Sequence, residues 1–240
     1  MVANSHWLAE LAGRSAIAKA CGGVRVIPSG IDTRVFKPHD KELCRKQLGL
    51  PADAFLIATG GASLKDTNKN VVWLFKQLSR LPDVGNLIVL ALGEGHVPVP
   101  DRLNVRFAGG IRDRYYLARL IAAADVFVSA SLMETYGLTL VEAMACGTPV
   151  VAFRVGGIPE AAPDGQGAIL CEPHDSVALL EAITNLRQSP QLRDKLARIA
   201  RETVHSRNAA SSFGSKFAKL YRESFGFKQA VPADTPATVT

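Results

Sequence analysis

At 240 residues, 48% of them hydrophobic, the chain has room for one large domain, or one domain with arms, and can bury a sizeable core. It contains no apolar run of the roughly eighteen residues that a membrane-crossing helix needs, and its start, Met-Val-Ala-Asn-Ser-His-Trp, has neither the basic region nor the apolar stretch of a signal peptide, so a cytoplasmic address is expected. The net charge of +6 comes from Lys and Arg spread along the chain rather than clustered with aromatics, which argues against nucleic acid and for a polyanionic small ligand, with peripheral contact to an anionic membrane, at its inner face, as a second use.

Cys21, Cys44, Cys146 and Cys171 are scattered without close pairs, so neither a zinc site nor a disulfide framework is expected. Residues 1 to about 22 show helical spacing at Leu8, Leu11 and Ile17, and Val24 to Ile27 alternates as a short strand ending at Pro28-Ser-Gly30-Ile-Asp32, a tight turn in its plainest reading. A helix is predicted from Lys41 to Leu48, stopped by Gly49-Leu-Pro51, then a buried strand from Phe55 to Thr59 that Gly60-Gly61 terminates. The polar loop Ala62 to Asn70 carries Lys65 and Lys69, which on their own read as solvated surface. An amphipathic helix follows, with Val72, Leu74, Phe75 and Leu78 inward.

Leu87 to Leu92 is a continuous apolar strand ending in Gly93-Glu94-Gly95, and Val105 to Ala108 ends in Gly109-Gly110. Both glycine turns fall at strand C-terminal ends, where open parallel sheets bind ligands, although Gly93-Glu94-Gly95 is too short for a dinucleotide fingerprint. Asp113 to Ala124 is predicted helical with Tyr116, Leu117, Leu120 and Ile121 inward, delivering Asp125 into the next strand.

That strand, Val126 to Val128, opens the most informative stretch. Ser129-Ala-Ser-Leu-Met-Glu134-Thr-Tyr-Gly137 forms a loop, Leu138 to Cys146 a helix, Gly147-Thr-Pro149 its stop, and Val150 to Phe153 another strand. Glu134 lies in the loop and Glu142 about one and a half turns into the helix, so both face the mouth of the sheet. Gly137 lets a ligand approach the backbone, and the unpaired N–H groups of Tyr136, Gly137, Leu138 and Thr139 form a place for a phosphate. The plain alternative is a capped helix, with Thr135 as N-cap and Leu138, Leu140, Val141 and Met144 as core.

Val155-Gly-Gly157-Ile-Pro-Glu160 then forms a turn in which Glu160 can serve as a helix-start charge. After it come a strand, Ala168 to Cys171, and helices from Glu172-Pro-His-Asp175 to about Arg187, from about Gln191 to His205, and from about Ala209 to Phe225. His174 reads as a loop residue, and the Pro-, Ala- and Thr-rich tail from Lys228 to Thr240 as disordered. Six or seven short strands alternating with helices, without internal repeats, predict an α/β fold: a Rossmann-like, doubly wound parallel sheet with C-terminal helices.

The string from Ser129 to Ala152 resembles the Glu-x7-Glu segment of retaining GT-B glycosyltransferases of family four, the group 1 glycosyl transferases. The resemblance runs from about Val24 to Phe225 and corresponds to the C-terminal, donor-binding half of a GT-B fold. It implies a nucleotide-sugar-binding domain over residues 23–227, preceded in 1–22 by a remnant of the N-terminal domain or linker and followed by the tail 228–240. It further implies transfer of a hexosyl group from a nucleoside diphosphate sugar to an acceptor hydroxyl, with no cofactor and no obligatory metal.

By the same resemblance, Glu134 and Lys69 are the candidate catalytic residues, Glu134 holding sugar hydroxyls and Lys69 the diphosphate. Lys65, Gly109, Gly110, Tyr136, Gly137, Leu138, Thr139 and Glu142 are candidate donor-binding residues, Glu142 on the ribose and Gly109 to Arg112 near the base. The turn at Gly156-Gly157 closes the site wall. Three positions depart from the family pattern: Ser29 stands for Asn, Asn70 for Gly, and Ser63 for an Arg whose bidentate contact is typically worth ~1.5–3 kcal/mol. The acceptor-binding half has no counterpart in these residues, which leaves a fragment, a subunit docking onto a partner chain, or a remnant as alternatives, with homo-oligomerisation through the uncovered face. A non-catalytic nucleotide-sugar-binding module is the competing reading.

Overall fold

The computed structural model describes residues 1–225, so the tail expected from Lys228 to Thr240 lies outside the described residues. A parallel pair, β1 (Val2–Ala3) and β2 (Arg25–Val26), brackets α1 (His6–Gly13) and α2 (Ala16–Ala20). After α3 (Lys41–Gln47) come β3 (Phe55–Ser63), α4 (Val71–Leu78), β4 (Leu87–Glu94), β5 (Asn104–Gly109) and α5 (Arg114–Ala123). The second half holds β6 (Val126–Ser129), α6 (Leu138–Ala145), β7 (Val150–Phe153), α7 (Ile158–Ala161) and β8 (Ala168–Cys171). It closes with α8 (Ser176–Gln188), α9 (Pro190–Arg207) and α10 (Ala210–Phe225).

Strands β3 to β8 form one parallel sheet in the order β5-β4-β3-β6-β7-β8. The chain winds outward from β3 through β4 to β5, then returns beside β3 and winds the other way. This is the expected doubly wound, Rossmann-like sheet, and the loops leaving β3 and β6 diverge where the order reverses. Alternate residues of the strands feed two cores. Leu56, Ala58, Leu90 and Phe127 meet α3, α5 and α6 on one face, while Ile57, Val89, Val126 and Val128 meet α4 and α8 on the other.

Three local expectations are corrected. Gly60-Gly61 does not end β3; the strand runs to Ser63 through a register shift against β4. Gly60 adopts φ 134°, and a Cβ there would stand 1.9 Å from the Leu92 carbonyl oxygen, so the glycine permits a bulge at close approach instead of a stop. In α4 the inward stripe begins at Val71 rather than Val72, because Asn70 starts the helix in the left-handed region. In α5, Tyr116 is 38% exposed and Ala118 takes the inward position, after Asp113 caps the amides of Tyr115 and Tyr116 and sets the helix phase. The helical spacing at Leu8, Leu11 and Ile17 matches α1 and α2, which are largely solvent-facing: α1 buries none of its residues and α2 buries only Ala18.

The start of β6 is fixed by a buried ionic knot. The Asp125 carboxylate accepts from Arg45 at 2.7 Å, Lys41 at 3.0 Å and the Leu56 amide at 2.8 Å, while the Asp125 amide donates to the Leu56 carbonyl at 2.8 Å. Arg45 also donates to the carbonyls of Ala52, Ala54 and Ala123, so its buried charge is fully engaged. Burial alone would raise the Asp125 pKa; Lys41, the Leu56 amide and Arg45 outweigh it and hold the carboxyl below the usual range. Asp125→Asn strands the Arg45 guanidinium and should cost ~3–5 kcal/mol in urea unfolding. Because the folded pKa lies below the unfolded value of about 3.9, this stabilisation is complete above that pH and lost as pH falls through the folded value. The gap between parent and variant should therefore narrow below about pH 4.

Candidate functional site at the switch point of the sheet

Two loops flank the crevice between β3 and β6. The first contains a single 3-10 turn, Thr67–Lys69, whose start is capped by the Asp66 carboxylate at the Asn68 amide, 2.9 Å. Asn70 follows at φ 55°, ψ 31°, a left-handed conformation that Asn accepts better than most residues. The Asn68 carbonyl accepts from the Leu132 amide of the second loop at 2.8 Å, tying the two loops together. Beside that bond the Lys69 ammonium pairs with the Glu134 carboxylate, both side chains being mostly buried. Ser131 Oγ donates to the same carboxylate oxygen at 3.3 Å and lies 3.1 Å from Ser129 Oγ.

The stretch from Glu134 to Gly137 is held from several directions. Gly157 N–H donates to the Glu134 carbonyl at 2.9 Å, and Ser5 Oγ to the Thr135 carbonyl at 2.6 Å. Gly156 and Gly157 lie so close beneath that Cβ atoms there would sit 2.1 Å from Glu134 O and 2.2 Å from Thr135 O. The Tyr136 ring is buried, its hydroxyl accepting from Asn208. Gly137, at φ 93°, is the N-cap of α6 and supplies no side-chain cap. Among the described residues the N–H groups of Tyr136, Gly137, Leu138 and Thr139 meet no protein acceptor, which leaves the positive end of α6 open toward the crevice.

Below this rim is a cleft of about 290 Å³. Its apolar wall is Leu92, Ile111, Leu117, Ile121 and Phe127; Glu94, Arg112, Thr139 and Glu142 supply the polar groups, and Gly60, Gly61, Gly93 and Gly110 bring backbone to its surface. Glu142 is 8% exposed and has no hydrogen-bond donor among the described residues. Burial pushes its pKa up to about 7 against the opposing pull of the Arg114 charge. A carboxyl so placed offers acceptor oxygens to hydroxyl donors entering the cleft.

The structure thus brings Gly110, Thr139 and Glu142 into one cleft. Lys69 and Glu134 stand at its rim, where Lys69 Cε lies 3.0 Å from a Cβ built on the cleft residue Gly61. Gly109, at φ 71°, makes the turn that presents Gly110 but does not line the cleft. Lys65 is exposed and lays its stem over Gly95, outside the cleft. Tyr136 and Leu138 face the crevice by backbone alone, one ring being core and the other side chain 43% exposed. Gly137, not Thr135, is the N-cap, and Glu160 accepts from the His6 and Trp7 amides at 2.7 and 2.9 Å, capping α1 rather than its own helix. The sequence places the Gly93-Glu94-Gly95 turn at a ligand-binding strand end without naming Glu94 as a donor-binding residue, and it offers Gly60-Gly61 only as a strand stop. Their signal was available: both follow apolar runs that end at the open edge of a parallel sheet.

Residues 55–189 match the family model described as glycosyl transferases group 1. The chain belongs to this family. The D-inositol 3-phosphate glycosyltransferase of Acidothermus cellulolyticus is 35% identical over 191 residues, 73% of this chain and 42% of that protein. The chain spans less than half the length of the curated relatives it matches. Sucrose-phosphate synthase from Thermosynechococcus elongatus matches at TM-score 0.81 and 30% identity, over 94% of this chain and 58% of that one. The Anabaena protein HepE, in a structure with UDP and glucose, matches in fold at TM-score 0.76 and 24% identity, over 91% and 61% of the two chains.

In this member of the group 1 family the glycine contacts have a measurable weight. Gly157→Ala forces the Thr135 peptide to move and should cost ~1–3 kcal/mol, as overpacking does. Asn70→Gly keeps the left-handed position accessible and should stay within about 0.5 kcal/mol of the parent, both read from urea midpoints.

Proposed function

We propose that the chain provides the donor-binding half of an enzyme that moves a hexosyl group from a nucleoside diphosphate sugar to an acceptor hydroxyl, with retention at the anomeric carbon. The observation that carries this reading is the convergence at one switch point of an unpartnered buried Glu142, the Lys69–Glu134 pair and the open N–H groups at the start of α6. Family membership supports it, as does the UDP and glucose named for the Anabaena neighbour.

In this reading the base lies against the segment from Gly109 to Arg112 and the apolar wall. Ribose hydroxyls donate to the Glu142 carboxylate, and the diphosphate lies between Lys69 and the N–H groups of Gly137, Leu138 and Thr139. As the glycosidic bond breaks, negative charge grows on the departing diphosphate, where a fixed ammonium and aligned amides stabilise it without reorganising. Glu134 accepts hydrogen bonds from sugar hydroxyls and orients the anomeric carbon, with no nucleophilic role assigned to it. The acceptor-binding half lies outside these residues, in the same protein or in a partner, and the cytoplasmic address, with contact at the inner membrane face, belongs to the same proposal. Among the described residues no helix is long and apolar enough to cross a membrane.

Ser63 favours the competing reading of a nucleotide-sugar-binding module, since no guanidinium stands at that position. Asn70 does not, because its left-handed backbone is one that glycine also adopts. Donor binding that never leads to turnover, even with an acceptor-binding half supplied, would decide for the module.

Calorimetric titration of the chain with UDP, GDP and ADP should show binding of one nucleotide, lost in Glu142→Ala. Since binding selects the ionised Glu142 and its pKa in the free chain is raised to about 7, affinity should rise about tenfold between pH 6 and pH 8. Binding near pH 6 should release a proton, seen as heat that depends on the buffer's ionisation enthalpy. A pH-independent affinity that Glu142→Ala leaves intact would remove the ribose assignment.

A further inference from the structure

We propose that the Lys69–Glu134 pair occupies the donor site in the donor's place, and that a complete nucleoside diphosphate sugar displaces it where the diphosphate left after transfer does so poorly. The inference rests on the donor reading above and deepens it: the pair makes the site prefer substrate to product. Four observations lead there. Lys69, the cation offered to the diphosphate, has Glu134 as its ion-pair partner among the described residues. Both side chains are largely buried, at 20% and 16% exposure, so the pair is poorly screened by solvent. The Leu132–Asn68 backbone bond keeps the parent loops together, so the pair re-forms at high effective concentration whenever it opens. Finally, Ser131 donates to the same Glu134 oxygen at 3.3 Å.

A phosphate approaching Lys69 therefore meets a carboxylate oxygen already on that ammonium, and two like charges cannot share the position without cost. Glu134 has to turn away. Once displaced, it retains Ser131 as one donor and lacks the charged one. The hydroxyls of a bound hexose replace that loss, whereas a nucleoside diphosphate without its sugar brings nothing for Glu134 to accept. The carboxylate thus returns to Lys69 after transfer and competes the diphosphate out.

The test titrates the 240-residue chain with whichever of UDP, GDP and ADP it binds, and with the corresponding glucose ester. Glu134→Gln, equal in size and uncharged, should bind the free diphosphate at least about tenfold more tightly than the parent, and its preference for the glucose ester should shrink. Glu134→Ala should show the same gain, so a folding fault peculiar to one replacement does not decide the result. Lys69→Ala in the Glu134→Gln background should erase the gain, because the released cation is its source. A parent that binds one diphosphate while neither variant binds it more tightly overturns the exchange and leaves the donor reading in place. A chain in which neither the parent nor either Glu134 variant binds any of the three, as free diphosphate or as glucose ester, removes the donor reading and this inference together.

Discussion

The reciprocal hydrogen bonds between Asp125 and Leu56 are the constraint from which the site follows. The Asp125 carboxylate and amide clasp the Leu56 peptide from both sides and fix β6 against β3 at one end. Pairing between these two strands then extends only over Ile57–Val126 and Ala58–Phe127. Beyond that they part, and because strand order reverses between them no connection bridges the opening. A crevice exists at the far end because the near end is pinned. Lys41, the Leu56 amide and Arg45 together keep that pin ionised within a core that would otherwise favour a neutral acid.

Glycine shapes the other walls by allowing backbone to meet backbone. At Gly60 and Gly93 the C-terminal ends of β3 and β4 approach to distances that a side chain forbids, and at Gly156-Gly157 the turn after β7 supports the Glu134 loop from below. The polar groups of the site are therefore mostly main-chain atoms and the ends of a few long side chains. Such a surface is stiff, since moving any part of it requires moving a strand end.

Much of this was legible in the sequence because the informative residues act locally. The alternation of apolar runs with amphipathic segments gave the parallel sheet, and Glu134, Gly137 and Glu142 sit where a loop followed by a helix must put them. What was not legible depended on contacts distant in the chain. Gly60-Gly61 reads as a strand end until β4 is seen alongside it. Lys65 and Lys69 are equivalent in a polar loop, and only the position of Gly95 and of Glu134 separates the one on the surface from the one at the rim. Glu160 reads as a charge for its own helix, yet it serves a helix more than 150 residues earlier in the chain. Tyr136 likewise joins the core because Asn208 is there to donate to it.

The N-terminal arm has a mechanical meaning of its own. Through Ser5 it grips the Thr135 carbonyl, and through the amides of His6 and Trp7 it holds Glu160, three residues after the glycine that grips the Glu134 carbonyl. The peptide carrying Glu134 is thus clamped between two jaws, and one jaw is built from the first seven residues. A displacement of that arm therefore bears directly on the Glu134 loop through these hydrogen bonds. A fragment cut to begin at residue 55, where the family match starts, would lose that jaw and, with α3, the Arg45 and Lys41 partners of Asp125.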